Sequence, residues 1–469
     1  MLFEEGVLFI GRVSEINKLE AFYHSKTFEM VVVYGRRRVG KTRLLSEFIK
    51  NKSAIFFVAE ENNDLLNKNK FTKTVLNHFD EKINLSFEYW DDIFKYIANR
   101  DLSEKLVIVL DELPYLALGN TGFLSMLQNV IDHVLLKKNI MLVLCGSSIS
   151  FMEDEIVSHK SPIYGRKTGQ MKVLPLDYRD ASGFFSNYSL EEQFETYAIL
   201  GGIPHYLLQF DADKRLEENI INKCLHSTSI FYDEPKNLLH QALRSPAVYN
   251  SIIEAIAGGA SKINDISTKI GEEASKTSKY IQSLLELEII IKQTPIDQPQ
   301  SRKSIYKIND PLFNFMYRFV YRSRSLIEQD LGYEVYHGRV KDELQAFYGM
   351  RFEAVCLQYL QYLNKRLKLE FLVESFGSWW GNNPIFKRQE EIDIVGLSKD
   401  SGIYCECKYR NEKVGIDVYD KLVERSRLIP RNHQYYYLFS KSGFTEGLIE
   451  IARIKPEIKL IGFEDLYKG

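Results

Sequence analysis

The chain has 469 residues, of which 45% are hydrophobic and 26% charged, the composition of a soluble globular protein. At roughly 150 residues per domain, two to four domains are expected. Lys and Arg total 61 against 63 Asp and Glu, so the molecule is not polybasic, and any nucleic-acid-binding surface has to be local. No apolar run approaches the roughly 20 residues of a membrane span, and the N-terminus lacks a basic export signal, which predicts a cytoplasmic protein with no membrane partner.

The first part of the chain, assigned to residues 1–174, alternates short apolar runs with amphipathic stretches. Continuous apolar character is typical of parallel strands that are covered by helices on both faces. This pattern predicts a doubly wound α/β domain. Its expected strands are residues 30–34, 54–58, 106–110 and 140–145, with helices between them, such as 41–51 and 123–137.

A glycine-rich loop from Gly35 to Thr42 follows the first of these strands and fits the pattern G-x-x-x-x-G-K-[ST]. Its backbone N–H groups and the start of the next helix should face the phosphates of ATP. Lys41 is expected to reach the β- and γ-phosphates, and the Thr42 hydroxyl to ligate Mg²⁺. The other expected nucleotide contacts in this segment are Gly35, Val39, Gly40 and Arg43. The plain alternative is a glycine turn with a surface lysine.

A second polar element follows the apolar run that ends at Leu110, namely Asp111-Glu112. A carboxylate at the carboxyl end of a central strand lies beside the phosphate loop. Asp111 is expected to hold Mg²⁺, and Glu112 to position or activate the attacking water. Together with the glycine-rich loop, this pair predicts ATP hydrolysis. The alternative is a solvated strand end.

Weaker candidates lie around this predicted site. Ser147 and Ser148 could sense the γ-phosphate or simply form a turn. Arg166 could be an arginine finger, in cis or in trans, or an ordinary surface arginine. Arg12, in the segment Phe9-Ile10-Gly11-Arg12, belongs to a stretch that could pack on adenine or fix the start of the following helix.

These motifs, with Glu15, Leu113-Pro114 and Gly201-Gly202-Ile203-Pro204, together resemble the archaeal-type ATPases of the AAA+/STAND group. The resemblance covers about the first half of the chain. It implies an AAA-like P-loop NTPase core with a helical lid, assigned to residues 175–240. The later segments look like the winged helix and the C-terminal domain that are usually fused to such ATPases.

Residues 241–325 are predicted to form a winged helix-turn-helix. The expected helices are 262–270 and 275–289, the latter with a serine cap, and the expected wing tip is 295–304. Lys276 and Lys279 lie at the start of the second helix, where a recognition helix reads bases, and Arg302 and Lys303 on the wing could contact phosphates. DNA is therefore a candidate partner, and the alternative is a domain used for packing or self-association.

The last part of the chain, residues 326–469, is predicted to be a third α/β domain. Its expected elements are a helix at 352–365 and strands at 392–395, 402–409 and 434–439. If the first two strands form a hairpin, Asp393 and Glu406 converge on one hard cation, and Lys408 can neutralise a developing oxyanion.

The spacing of Asp393, Glu406 and Lys408 resembles the PD-(D/E)xK nuclease core, which implies a restriction-endonuclease-like fold and a further metal-ligating acid at Glu353. Glu391-Ile392-Asp393 stands where that core has Pro-Asp, which is a departure from the pattern. The alternative is that these charges form cross-strand pairs with no chemistry.

The leading interpretation is a Mg²⁺-dependent ATPase that couples its nucleotide state to nucleic-acid binding or processing. One alternative is a regulatory switch whose C-terminal domain is an inactive interaction module, and another is a DNA-bound transcription regulator. The sequence leaves homo-oligomer formation open.

Overall fold

A computed structural model describes residues 9–81, 85–243, 245–298, 303–384 and 386–468. The chain divides into two compact units, one formed by Met1–Leu176 with Gly202–His205, the other by Asp177–Gly201 with Tyr206–Gly469. The predicted division into four domains stays a prediction. Across the described ranges, no helix combines the length and apolar character needed to cross a membrane.

The first unit is built on a parallel five-stranded sheet in the order β2-β3-β4-β1-β5. Every residue of β1, β3 and β4 is buried, as their continuous apolar sequences predict, because helices cover both faces. The fifth strand was not predicted. The strands are β1 Glu29–Tyr34, β2 Ala54–Val58, β3 Leu106–Asp111, β4 Ile140–Gly146 and β5 Gly169–Lys172.

The helices of this unit connect the strands and pack on the sheet. They are α1 Val13–Tyr23, α2 Lys41–Phe48, α3 Asp64–His78, α4 Trp90–Ala98, α5 Leu113–Gly119, α6 Phe123–Val130 and α7 Ile149–Phe151. Short π- and 3₁₀-helical segments continue some of them at Ile131–Leu135, Met152–Val157 and Tyr164–Arg166.

The second unit begins with helices that correspond to the predicted lid. They are α8 Tyr178–Ser182, α9 Leu190–Leu200, α10 Pro204–Leu207, whose first two residues belong to the first unit, α11 Leu216–Asn219 and α12 Ile230–Ala242. A π-helical segment, Ile220–Cys224, follows α11. Helix α9 opens with a capping box in which Ser189 and Glu192 bond each other's backbone N–H groups.

The predicted winged region contains the expected helices and hairpin. Helices α13 Pro246–Ala257, α14 Ile263–Ile270 and α15 Ala274–Glu286 precede an antiparallel hairpin of β6 Ile290–Gln293 and β7 Ile305–Ile308. The predicted serine cap is wrong, because Glu273 precedes α15 and makes no side-chain capping bond. Short helical segments follow: α16 Pro311–Phe315, Met316–Val320, Tyr321–Ser323, α17 Arg324–Ile327, α18 Gly332–Val335 and Tyr336–Val340.

The C-terminal region is a five-stranded sheet between helices. The elements are α19 Lys341–Lys365, β8 Ser375–Asn383, β9 Arg388–Leu397, β10 Ser401–Lys408, α20 Ile416–Ser426, β11 His433–Ser440, α21 Glu446–Ile454, β12 Ile458–Gly462 and a 3₁₀ segment, Phe463–Leu466. The order is β12-β11-β10-β9-β8, with β8, β9 and β10 antiparallel and the other pairs parallel. The structure adds β8 and β12 to the predicted strands and starts the helix at residue 341 rather than 352.

Candidate nucleotide site and carboxylate cluster

The glycine-rich loop leaves β1 at Tyr34 and enters α2 at Lys41, as the sequence predicts. A side chain at Gly35 is excluded, because a Cβ there would lie 2.3 Å from the carbonyl oxygen of Val173. Gly40 has φ 94°, a conformation that other residues rarely adopt, and it places the loop directly before the helix. The loop backbone is therefore compact, with the first turn of α2 open to an anion.

Lys41 is folded back into this loop. It is only 5% exposed, and its Nζ donates hydrogen bonds to the carbonyl oxygens of Gly35 at 2.9 Å and Arg36 at 3.0 Å. Burial lowers the pKa of Lys41, and the nearby carboxylates of Asp111 and Glu112 oppose that effect. Phosphate oxygens are stronger acceptors than these carbonyls because they are charged, so they can draw the ammonium group from them.

Thr42 and Asp111 meet at the carboxyl edge of the sheet. The Thr42 hydroxyl donates to Oδ2 of Asp111 at 2.7 Å, and Asp111 is 1% exposed. The other carboxylate oxygen, Oδ1, accepts the backbone N–H of Glu112 at 2.9 Å. A hydroxyl and a carboxylate oxygen are ligands suited to Mg²⁺, so this pair fits the ion.

Glu112 directly precedes α5 with φ 53°, a strained backbone conformation of a kind that clusters at functional sites. Its Oε2 accepts a hydrogen bond of 2.8 Å from the Ser147 hydroxyl and a longer one, 3.4 Å, from the Ser147 backbone N–H. The structure thus brings Ser147 to the carboxylate of Glu112, whereas Ser148 is exposed beside it. The two serines therefore have different surroundings, although they are adjacent in sequence.

Arg12 bonds the backbone of the phosphate loop. It is 6% exposed, and its guanidinium donates to the carbonyl oxygen of Val39 and to the carboxylate of Glu15, each at 2.9 Å. Phe9, from the same segment, lines a cavity of about 490 Å³ between α1 and the end of α2. Arg43 is half-buried in the first turn of α2.

Arg166 forms a two-pronged ion pair with Asp132. Its Nε and Nη2 donate to the two carboxylate oxygens at 3.0 and 2.7 Å, and its Nη1 donates to the carbonyl oxygen of Pro162. This pairing raises the pKa of Arg166 and lowers that of Asp132. The predicted arginine finger is therefore held by its own chain.

The segment 202–205 contributes to the nucleotide-binding unit although both flanking segments belong to the other unit. The Gly202 carbonyl accepts the backbone N–H of Leu176, and a Cβ at Gly202 would lie 1.8 Å from the Leu176 carbonyl oxygen. A Cβ on Gly40 would lie 3.7 Å from the ring of Pro204. The sequence marked Gly201-Gly202-Ile203-Pro204 as a family motif, but its position against the phosphate loop was not predicted.

The C-terminal carboxylates lie across a pair of strands. The register that pairs Cys405 with Ile394 sets Glu406 opposite Asp393, and the Cys407 backbone N–H donates to Oδ2 of Asp393 at 2.8 Å. The register of β9 with β8 shifts beside Asp393. Such irregularities often re-aim a side chain next to an active site.

Glu353, on α19, is close enough to Asp393 for the two carboxylates to influence each other. Burial, followed by the charge of Asp393, raises the pKa of Glu353 to about 8. Burial, followed by the charge of Glu406, raises the pKa of Asp393 to about 7. The three predicted acids therefore share one electrostatic environment.

Arg425, on α20, was not predicted and changes this environment. It donates to Glu390 and to Glu406, each at 3.0 Å, while Lys408 also bonds Glu406. Within the described ranges, no three His, Cys, Asp or Glu side chains are arranged to hold a metal ion. Arg425 lies 19 positions after Glu406, on a helix that was not predicted. It belongs to no sequence motif that could have identified it.

The winged region uses some of its predicted DNA-contacting groups internally. Lys276 is ion-paired with Glu272 at 2.9 Å, whereas Lys279 is exposed on α15. Near the wing tip, the Ile296 backbone N–H donates to the carbonyl oxygen of Ser378 on β8. Arg302 lies outside the described residues.

Comparison with known proteins gives matches over most of the chain. A profile of an ATPase domain found predominantly in Archaea matches residues 9–210, and a profile of archaeal and bacterial proteins of unknown function matches residues 316–418. An uncharacterized protein of Methanocaldococcus jannaschii is 30% identical over 442 residues, which cover 92% of this chain and 96% of that protein.

Solved structures are more distant. A Walker-type ATPase of Pyrococcus abyssi is 21% identical, covers 66% of this chain and 96% of its own, and superimposes with a TM-score of 0.48. The ORC2 protein of Aeropyrum pernix, solved in ADPNP–ADP complexes, is 12% identical over 70% of this chain and 98% of its own, with a TM-score of 0.45.

Proposed function

Because the chain belongs to the family of archaeal P-loop ATPases, we propose that it hydrolyses ATP with Mg²⁺ at the loop of Gly35 to Thr42. The observation that carries this proposal is the 2.7 Å hydrogen bond between Thr42 and Asp111. It places a loop hydroxyl and a strand-end carboxylate together, where they can share one hard cation beside the phosphates.

The proposed chemistry follows from the positions of five side chains. Lys41 exchanges the carbonyl oxygens of Gly35 and Arg36 for β- and γ-phosphate oxygens. Thr42 and Asp111 would hold Mg²⁺, which would neutralise charge on the phosphates. Glu112 orients the attacking water, and Arg12 keeps the loop in place through the Val39 carbonyl.

Three substitutions test this assignment. We expect Lys41→Ala to lose ATP binding, because the buried cation is removed from the loop. Glu112→Gln should retain ATP binding but reduce kcat by about 100-fold or more, since it affects the water rather than the phosphates. Asp111→Asn should weaken the dependence of ATP binding on Mg²⁺.

The measurements are nucleotide titration by calorimetry and phosphate release under saturating ATP. Arg100→Ala, at a surface ion pair with Glu81 in the same unit, is the control and should behave as wild type. Wild-type protein that binds no adenine nucleotide in millimolar Mg²⁺ would refute the proposal.

The ATPase is further proposed to respond to DNA through α15. Ser275, Ser278 and Lys279 are exposed on its first turns, while Thr277 is buried, which leaves one polar face available to a DNA groove. Lys276 would have to leave Glu272 to contribute a phosphate contact. DNA should stimulate ATP hydrolysis, and Lys279→Ala should reduce the salt dependence of DNA binding by about one ion.

The matched control for this test is Lys455→Ala, an exposed lysine next to α21 in the same unit. It should leave both the DNA affinity and its salt slope unchanged. Equal slopes for wild type and the Lys279 variant would contradict the assignment of α15 as the DNA-contacting helix.

For the C-terminal region, we propose metal-assisted hydrolysis of phosphodiesters at Asp393 and Glu406, with Glu353 joining as a further ligand only when a cation draws the three acids together, since they are not arranged around a metal position in the structure. Support comes from the cross-strand position of Asp393 and Glu406 and from the raised pKa values of Asp393 and Glu353. Closely spaced buried acids repel each other, so a divalent cation among them would relieve that repulsion. Lys408 would stabilise the developing charge.

A second candidate is a C-terminal module with no catalytic activity. The observation that favours it is the ion pair of Arg425 with Glu406, since an arginine already satisfies the carboxylate that a metal would need. Cleavage of plasmid DNA in Mg²⁺ or Mn²⁺ separates the two. Cleavage that Glu406→Gln abolishes supports the nuclease, and no cleavage by wild type supports the module.

A further inference from the structure

Arg37 lies in the middle of the phosphate loop and points toward the segment that follows β3. Its Nη2 donates to the phenol oxygen of Tyr115 at 3.4 Å. Tyr115 lies in the first turn of α5, and its backbone N–H donates to the carbonyl oxygen of Glu112 at 3.0 Å. The guanidinium therefore lies on the side of the loop that faces the start of α5, next to Glu112, the proposed water-positioning residue.

Arg37 and Lys41 belong to the same eight-residue loop, so two like charges repel each other there when no nucleotide is bound. Repulsion of this kind turns into joint attraction when a triphosphate enters, because its oxygens provide acceptors for both groups. The 3.4 Å contact with Tyr115 is long and joins the guanidinium to a neutral acceptor, so it is weaker than a contact with phosphate would be.

Arg166, the arginine that the sequence offers as a finger for the γ-phosphate, has partners elsewhere in the chain. Arg166 is held by both carboxylate oxygens of Asp132 and by the Pro162 carbonyl. Phosphoryl transfer benefits from a guanidinium on the transferring group, because charge develops on its oxygens in the transition state. Arg36, Arg37 and Arg38 already lie within the loop, and Arg37 is bonded to Tyr115, in the first turn of α5.

We propose that Arg37 is a catalytic residue that leaves Tyr115 and contacts the γ-phosphate of ATP from within its own loop. This inference rests on the proposed ATPase function and adds a residue that distinguishes ATP from ADP. A guanidinium bonds two oxygens of one phosphate through a rigid, planar fork, whereas the lysine ammonium is a compact point charge, so the contact favours arginine itself.

The test compares Arg37→Ala, Arg37→Lys, Arg38→Ala and Tyr115→Phe. Arg37→Ala should reduce kcat by about 100-fold or more and weaken the binding of a non-hydrolysable ATP analogue, with ADP affinity changed by less than about threefold. Arg37→Lys should recover only part of kcat. Arg38→Ala removes an exposed neighbour in the same loop. Its kcat should be at least about ten times that of Arg37→Ala.

Tyr115→Phe separates catalysis from structural support. If the Arg37–Tyr115 contact only braced the loop, Tyr115→Phe would match Arg37→Ala, and that result would overturn the inference. We expect Tyr115→Phe to keep kcat within about threefold of wild type. Equal losses in Arg37→Ala and Arg38→Ala, with an active wild type, refute the inference alone, whereas a wild type that binds no nucleotide refutes the proposed ATPase as well.

Discussion

Under the proposed function, Lys41 has to exchange its present partners when nucleotide binds. In the structure its ammonium group is buried and is bonded to two carbonyl oxygens of its own loop. Those bonds satisfy the charge in the absence of phosphate, since an unpaired buried cation is costly. Nucleotide binding therefore exchanges existing partners and does not fill an unsatisfied site, which makes affinity depend on the difference between carbonyl and phosphate acceptors.

Glu195 provides a test of pH-dependent stability. Burial raises its pKa to about 7, while the Tyr409 hydroxyl donates to it at 3.0 Å and Lys441 opposes the shift. The folded pKa lies above the usual 4.5, so the folded state holds the proton more tightly than the unfolded state does. Stability associated with Glu195 is therefore present at acid pH and is lost as the pH rises from 4.5 through 7.

Glu195→Gln should remove this loss, because glutamine stays neutral. We expect the variant and wild type to unfold with similar free energies at pH 4.5, and the variant to be more stable by up to about 3 kcal/mol at pH 8. Urea denaturation at both pH values measures the difference. A difference that is the same at both pH values would contradict the assigned titration.

Metal binding at the C-terminal carboxylates should also depend on pH. The pKa of Asp393 is raised to about 7 and that of Glu353 to about 8, so a cation competes with protons for them below those values. Mn²⁺ should raise the melting temperature more at pH 8.5 than at pH 6, and Asp393→Asn should remove the effect. A shift that Asp393→Asn leaves intact would place the ion elsewhere.

Among the elements, the central strands were predictable, whereas of the edge strands of the two five-stranded sheets only β2 was predicted. β1, β3 and β4 are buried along their whole length, and their continuous apolar sequences indicate as much. The missed strands lie at or near sheet edges, where fewer side chains are covered: β5 has four residues, β8 contains glycine and asparagine, and β12 is mostly half-buried. Edge positions do not require a continuous apolar run.

The start of helix α19 was also not predictable from the local sequence. Its first eleven residues were not predicted, since Gly349 lowers helix propensity within them. Leu344, Phe347 and Tyr348 are buried on that stretch, so tertiary packing overrides the local preference.

The candidate nucleotide site was largely predictable because its residues belong to short sequence motifs. The structure brings together Lys41, Thr42, Asp111 and Glu112 at one edge of the sheet, although their catalytic roles stay predictions. The contacts of Arg37 with Tyr115 and of Arg425 with Glu406 join residues far apart in sequence. Side-chain pairs of that kind follow from the fold and leave no local signal.

The hairpin of β6 and β7 offers a test at this scale. Ile296 packs against Gly377 and bonds Ser378, so it covers part of the edge strand β8. Ile296→Asp should place a charge against this strand and detach the hairpin. We expect faster amide hydrogen exchange along β8, measured by mass spectrometry. Asp297→Ala, at the exposed neighbouring position, is the control, and equal exchange in both variants would contradict the contact.

At the scale of the whole molecule, helix α9 connects the two units through the chain itself. It belongs to the second unit, where Glu195 bonds Tyr409, and it ends at Gly201, directly before the segment 202–205 that belongs to the first unit. A change at the phosphate loop that displaces Pro204, beside Gly40, can therefore reach α9 along a few peptide bonds. This continuity makes α9 a suitable reporter of nucleotide state.

ATP with Mg²⁺ should alter amide hydrogen exchange in Leu190–Leu200 as well as in the phosphate loop, because Pro204, whose ring lies beside Gly40 of the loop, follows α9 by only a few residues. Lys41→Ala should abolish both changes. Nucleotide-dependent protection that is confined to residues before 177 would show that α9 does not respond.

The four residues 202–205 also limit how the protein can be divided. A fragment that ends at Leu176 would leave out the carbonyl that pairs with the Leu176 backbone N–H and the proline ring beside Gly40. The nucleotide-binding unit is thus discontinuous in sequence, because it includes residues 202–205, which begin 26 positions after Leu176. A recombination or a laboratory exchange that transfers this unit between relatives has to include those four residues. Transfer by simple end-to-end joining at Leu176 is therefore disfavoured.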